Sequence, residues 1–170
     1  MSEGTYQRVT NPVEEDLTGN NGGLTKKILR HGDKVYNDAE GNNRPTKGSK
    51  VVMHYTGHLG SESGPVFDSS HNRNKPFDFT LGVRQVILGW DKTVATMQKG
   101  EKVMCKISPD YGYGNSTVGP IPAGSTLYFE MELMGWKAPS EAGSGADNNE
   151  GLMTSFVLIF MAVMIFLYFW

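Results

Sequence analysis

A chain of 170 residues has room for one ordinary domain of about 100 to 150 residues plus appendages. Its 16 Lys and Arg against 18 Asp and Glu give a formal net charge of -2, and no basic run is long enough to track a phosphate backbone, so nucleic acid is excluded as a partner. The single cysteine, Cys105, rules out an internal disulfide and stands in an alternating apolar stretch, where a buried thiol in a reducing compartment is expected.

In chain order, residues 1–21 mix Asn, Gly, Pro and acidic groups without periodicity and read as a mobile N-terminal segment. The opening Met1-Ser2-Glu3-Gly4 lacks the cationic and apolar runs of an export signal, and Ser2 in place of glycine excludes N-myristoylation, so a cytosolic start is expected. A compact domain is expected over 22–137. Within it Lys50 to Leu59 alternates Val51, Met53 and Tyr55 with Val52, His54 and Thr56, the side-chain spacing of a strand. Phe77, Phe79 and Leu81 repeat that spacing, as do Val103, Cys105 and Ile107, and then Leu127, Phe129, Met131 and Leu133. These are half-buried antiparallel strands. Ile87, Trp90, Val94 and Met97 instead recur at helical spacing and share one face of a short helix that stops at Gly100. The fold class is therefore α+β, an antiparallel sheet curved over one short α-helix.

Residues 138–150, rich in Gly, Ala, Ser and Asn with Glu141, Asp147 and Glu150, read as a flexible acidic linker spanning about 20 Å. From Leu152 to Trp170 no side chain is charged. As a helix those residues reach roughly 28 Å, close to the ~30 Å of a bilayer's hydrocarbon core, so 151–170 is expected to be a C-terminal transmembrane anchor in contact with membrane lipid. Tyr168 and Trp170 suit the far interface. The domain then faces the cytosol from a single-pass anchor. The acidic flank favours the endoplasmic reticulum over the mitochondrial outer membrane.

The chemistry of the domain is read partly by elimination. His54 and His58 would be about 13 Å apart along a strand, too far to share a metal ion. No phosphate loop, nucleophile elbow or carboxylate pair is present, so neither a metal nor a cofactor is expected. Asn115-Ser116-Thr117 reads as a polar loop. What stands out is a set of aromatic residues bracketing short loops: Tyr55, Phe67, Phe77, Phe79, Trp90, Tyr111, Tyr113 and Phe129.

The order of the residues around them resembles the FKBP family, immunophilins that bind the macrolides tacrolimus and rapamycin. The matching segments are Val52-Met53-His54-Tyr55-Thr56-Gly57, Phe67-Asp68-Ser69-Ser70, Asn74-Lys75-Pro76-Phe77-Asp78-Phe79 and Val86-Ile87-Leu88-Gly89-Trp90-Asp91. They continue with Ser108-Pro109-Asp110-Tyr111-Gly112-Tyr113-Gly114 and Ile121-Pro122 leading to Thr126-Leu127-Tyr128-Phe129-Glu130. The likeness runs collinearly from about Gly22 to Trp136. It implies a peptidyl-prolyl cis-trans isomerase acting on proline-containing polypeptides and inhibited by macrolide immunosuppressants.

By that resemblance Trp90 is the pocket floor, Tyr55, Phe67, Phe77, Val86, Ile87 and Phe129 are its walls, and Tyr113, Asp68 and the Ile87 N–H are its polar contacts. The catalytic set it implies is Tyr55, Phe67, Asp68, Tyr113 and Phe129. The substrate and macrolide contacts it implies are Phe77, Val86, Ile87, Trp90, Ile121 and Arg73, with Arg73 partnering Asp68. Two features depart from the family pattern: the 114–121 loop is one residue shorter than in many members, and Ala123 stands where a second proline is common. A membrane-tethered module that docks proline peptides, or a co-chaperone with incidental turnover, remains the alternative.

Overall fold

The computed structural model describes residues 7–142. The expected anchor over 151–170 and most of the expected linker lie outside them. Among the described residues no helix is long and apolar enough to cross a membrane.

Seven strands form one antiparallel sheet: β1 (Glu14–Asp16), β2 (Leu24–Arg30), β3 (Lys50–Leu59), β4 (Val66–Ser69), β5 (Phe77–Thr80), β6 (Lys102–Ile107) and β7 (Leu127–Lys137). Their order is β1-β2-β6-β7-β3-β4, with β5 also paired to β3. The long strand β3 serves β4 with its C-terminal half and β5 with its N-terminal half. The expected alternation holds: Val51, Met53 and Tyr55 are buried while Val52, His54 and Thr56 are partly exposed. The inward faces of β3, β6 and β7 meet the helix α1 (Leu88–Val94) through Trp90 and Val94 in a single core cluster.

Register orders that core in rows. One row crosses five strands, running from Lys26 through Cys105, Phe129 and Gly57 to Asp68. At one end the Lys26 ammonium is buried, and it is paired with Glu101 at 3.3 Å and with the Thr96 hydroxyl at 2.9 Å. The second Glu101 oxygen accepts the Gln98 N–H at 3.0 Å. This cluster ties β2 to the chain that follows α1.

Three sequence expectations are adjusted. Glu14–Asp16, within the segment read as mobile, is an edge strand whose three residues pair with Lys27, Lys26 and Thr25. A strand that short is too brief to show a period. The α-helix closes at Val94, and the chain to Met97 winds more tightly, with Thr96 N–H to Thr93 C=O and Met97 N–H to Val94 C=O both at 3.0 Å. Met97 stays buried, so the apolar spacing survives the change of helix type. Finally, Ala138 is buried and Pro139–Ala142 forms a helical turn, α2, where the linker was expected to begin.

Removing one partner of a buried ion pair leaves the other charge uncompensated. Glu101→Ala is therefore expected to lower stability by about 3 to 5 kcal/mol, read from the urea unfolding midpoint. A loss below about 1 kcal/mol, the range of a surface pair, would mean that the pair adds nothing to the fold.

Candidate functional site

The loop between β5 and α1 ends at Ile87, whose backbone is extended (φ -60°, ψ 151°) and whose C=O accepts the N–H of Trp90 at 2.9 Å. Because Ile87 caps the helix from outside, its own N–H lies beyond the helical ladder and finds no acceptor among the described residues. Trp90 follows on the inward side of α1 and is 2% exposed. Gly89 lets the helix come this close to the sheet, because a Cβ there would stand 2.8 Å from the Ile107 side chain.

Over Trp90 opens a cavity of about 220 Å³ lined by Gln85, Val86, Ile87, Trp90, Gly112, Tyr113 and Phe129. Aromatic rings hold the indole on several sides. Tyr55 meets it edge-on at 4.9 Å, Phe129 at 5.2 Å, Phe77 at 5.8 Å and Phe79 at 6.0 Å. Edge-to-face contacts are the favoured geometry for such rings, so the floor is rigid as well as apolar. The Trp90 indole N–H is buried without a partner among the described residues.

Phe67 does not line the cavity directly but braces Phe129 edge-on at 5.5 Å. The space for that pair comes from Gly57 on β3. A Cβ at Gly57 would stand 2.6 Å from Phe67 and 2.8 Å from Phe129. Asp68 ends the same row and receives hydrogen bonds from the Tyr55 hydroxyl and from Arg73 Nη1. Arg73 Nη2 also donates to the Tyr55 oxygen at 2.7 Å, closing a three-membered network. Burial, followed by the Asp68 hydrogen bond and charge, pushes the Tyr55 hydroxyl well above its ordinary range, with Arg73 opposing.

Tyr113 is carried by the 3-10 turn Pro109–Tyr111, which Gly112 and Gly114 close with N–H bonds to the Pro109 carbonyl at 3.0 and 2.8 Å. Burial, with the Asp68 charge second, pushes its hydroxyl up to about 12. That hydroxyl makes no hydrogen bond among the described residues, so it is a free donor at the cavity wall.

The expected residues thus separate by position. Val86, Ile87, Trp90, Tyr113 and Phe129 form the cavity surface, while Tyr55, Phe67 and Phe77 stand behind it as ring supports. Asp68 and Arg73 do not line the cavity; they hold each other and the Tyr55 hydroxyl behind it. Ile121 is 2% exposed, sits in the core cluster and exchanges 2.9 Å backbone bonds with Val118, which anchors the 114–121 loop rather than lining the cavity. Thr117 is exposed and Val118 buried. Sequence reasoning missed Gln85 and Gly112. Gly112 matters by lacking a side chain, and Gln85 gave one signal, a polar residue beside two apolar ones.

Residues 41–134 match the family model described as FKBP-type peptidyl-prolyl cis-trans isomerase. The chain belongs to that family. A 46% identity over 114 residues relates this FKBP chain to the FK506-binding protein 1A of Aspergillus fumigatus, covering 66% of this chain and 94% of the relative. The FK506-binding protein 2 of Podospora anserina is 55% identical over 89 residues, which are 52% of this chain and 48% of the relative, so the match spans about half of that protein. Among solved structures, FkpA from Escherichia coli superposes with a TM-score of 0.57 at 32% identity, over 68% of this chain and 49% of the other. The wheat protein with three FKBP domains gives a TM-score of 0.59 at 31% identity, over 71% and 48%.

Gly57→Ala places a methyl group against two rings that the cavity wall needs. Overpacking of this kind costs about 1 to 3 kcal/mol, and the substitution is expected to displace Phe129 and weaken binding of a prolyl peptide, measured by titration. Wild-type affinity in Gly57→Ala would show that the ring pair does not shape the cavity.

Proposed function

We propose that this chain is a peptidyl-prolyl cis-trans isomerase whose catalytic cavity is the one over Trp90. The observation that carries the reading is an apolar cavity with a rigid aromatic floor and two unpaired donors at its wall, Ile87 N–H and Tyr113 O–H.

The reaction rotates one bond. Amide resonance gives it a barrier of about 18 to 20 kcal/mol, and the uncatalysed X-Pro step takes tens to hundreds of seconds. A planar amide is more charge-separated than a twisted one, so moving it out of water raises the ground state more than the transition state. In this reading the prolyl ring stacks on Trp90 between Val86 and Phe129. Flanking carbonyls accept from Ile87 N–H and Tyr113 O–H, which holds the peptide while its amide turns. Tyr55, Asp68 and Arg73 are hydrogen-bonded to one another, which holds the Tyr55 ring in place against Trp90. No proton is transferred.

Relatives named FK506-binding proteins support extending the reading to macrolides of that type as competitors for the cavity. The uncharged stretch from Leu152 to Trp170 supports an anchor that hangs the domain from a membrane on the cytosolic side, at the endoplasmic reticulum in preference to the mitochondrial outer membrane. Tethering would raise the effective concentration of membrane-bound clients.

Tyr113→Phe removes one donor and little volume. It is expected to lower kcat/KM for a prolyl peptide by about tenfold, which corresponds to about 1.4 kcal/mol. Unchanged turnover in both Tyr113→Phe and Trp90→Leu would sink the assignment. An ordinary tyrosine titrates near 10, and burial, with the Asp68 charge second, pushes the Tyr113 hydroxyl up to about 12. Its O–H is therefore retained through mildly alkaline solution, and kcat/KM is expected to be flat from about pH 7 to about pH 9. The same upward shift favours the folded state below the unfolded value, and that contribution is lost as pH rises through the folded one. Deleting residues 151–170 is expected to move the protein from the membrane pellet to the soluble fraction; an unchanged distribution would refute the anchor.

A further inference from the structure

The seven residues from Leu81 to Ile87 connect β5 to α1 and supply Gln85, Val86 and Ile87 to the cavity wall. This loop is not held by strand or helix pairing. Its first residue is pinned, because Leu81 N–H donates to the Ser49 carbonyl at 2.9 Å and its own carbonyl accepts Gly48 N–H at 2.9 Å. Beyond that point the backbone turns through the left-handed region twice, at Gly82 (φ 74°) and at Arg84 (φ 63°). Glycine adopts that region freely, but arginine has a Cβ that resists it, so Arg84 stays there only if its surroundings require it.

Asp91 grips this turn from α1. Its Oδ1 accepts the Gly82 N–H at 2.8 Å. Burial pushes its carboxyl up, and the backbone of the turn, Gly82 N–H first, pulls it back, so a carboxylate on α1 holds the start of the turn. A second pin lies at the other end, where Gln85 Oε1 accepts the Thr80 N–H at 2.6 Å. Asp91 follows Trp90 directly on α1, so the residue that grips the wall loop is covalently next to the floor.

We propose that Asp91 is a positioning residue that locks the β5–α1 loop to the helix, and so sets the distance between the Trp90 floor and the Val86–Ile87 wall. It does not line the cavity; it acts through its hydrogen bond from Gly82 and the turn that follows. The proposal rests on reading the cavity as the prolyl site. Loosening the loop lets Ile87 N–H wander from the position where a carbonyl can reach it, a loss of binding more than of the rotation step.

The test compares the full-length wild type with Asp91→Ala and Asp91→Asn, the second keeping one acceptor oxygen at nearly the same volume. Amide exchange is expected to quicken at Gly82, Arg84 and Ile87 in Asp91→Ala while β3 and β7 stay protected, a pattern that general destabilisation would not give. Turnover of a prolyl peptide is expected to show KM raised by about tenfold with kcat little changed, and Asp91→Asn to fall between. Unchanged exchange at Gly82 and Arg84 in Asp91→Ala overturns the proposal. So does a loosened loop with kcat/KM within about twofold of wild type. If Asp91→Ala does not fold, Asp91→Asn decides by the same criteria. A wild type without turnover is a failure of the functional reading, visible before any variant is made, and loop exchange alone then judges the role of Asp91.

Discussion

The structure depends on a missing side chain. Gly57 sits in the middle of β3, in register with Phe129 on one neighbour and Asp68 on the other. Because it carries no Cβ, Phe67 and Phe129 can close edge-on above it at 5.5 Å. Phe129 in turn backs the indole of Trp90. A core packed near crystal density has no slack at such a point, so one methyl group decides whether the wall of the cavity stands where it does.

Charge is kept to the two ends of the row that passes through Gly57. At one end Lys26 and Glu101 are buried together, with Thr96 and the Gln98 N–H completing their hydrogen bonds. At the other, Asp68 is held by Tyr55 and Arg73. Between these satisfied groups the surface over Trp90 is apolar, and three donors have no partner among the described residues: Ile87 N–H and Tyr113 O–H at the wall and the Trp90 indole N–H at the floor. Polar groups that are already paired compete weakly for a peptide's carbonyls, whereas unpaired ones cost free energy until a ligand arrives. In the proposed reading, that contrast selects an amide lying over an apolar ring.

Much of this was legible beforehand. The alternation in Val51 to Tyr55, Val103 to Ile107 and Leu127 to Leu133 placed three of the central strands and named their buried faces. Ile87, Trp90, Val94 and Met97 were read as one helical face; the last three are buried even though the chain tightens after Val94, whereas Ile87 stands outside α1 in extended backbone and is half-buried. The cavity residues Val86, Ile87, Trp90, Tyr113 and Phe129 followed from the order of the motifs. The strand β1 was not legible, because three residues cannot show a period and their pairing depends on β2. Ile121 was assigned to the site by its motif, but its backbone pairing with Val118 turns it into the core.

By itself the sequence determined the strand faces, the membership of the FKBP family and the aromatic character of the site, since those are written in side-chain type and local spacing. Only tertiary structure decided which aromatic rings reach the cavity and which stand behind it. It also decided that Gly112 and Gln85 border the cavity, and that Asp91 reaches back across nine residues to hold Gly82. The physical reason is the same in each case: strand register and loop closure bring together residues far apart in the chain, and local periodicity carries no information about such partners.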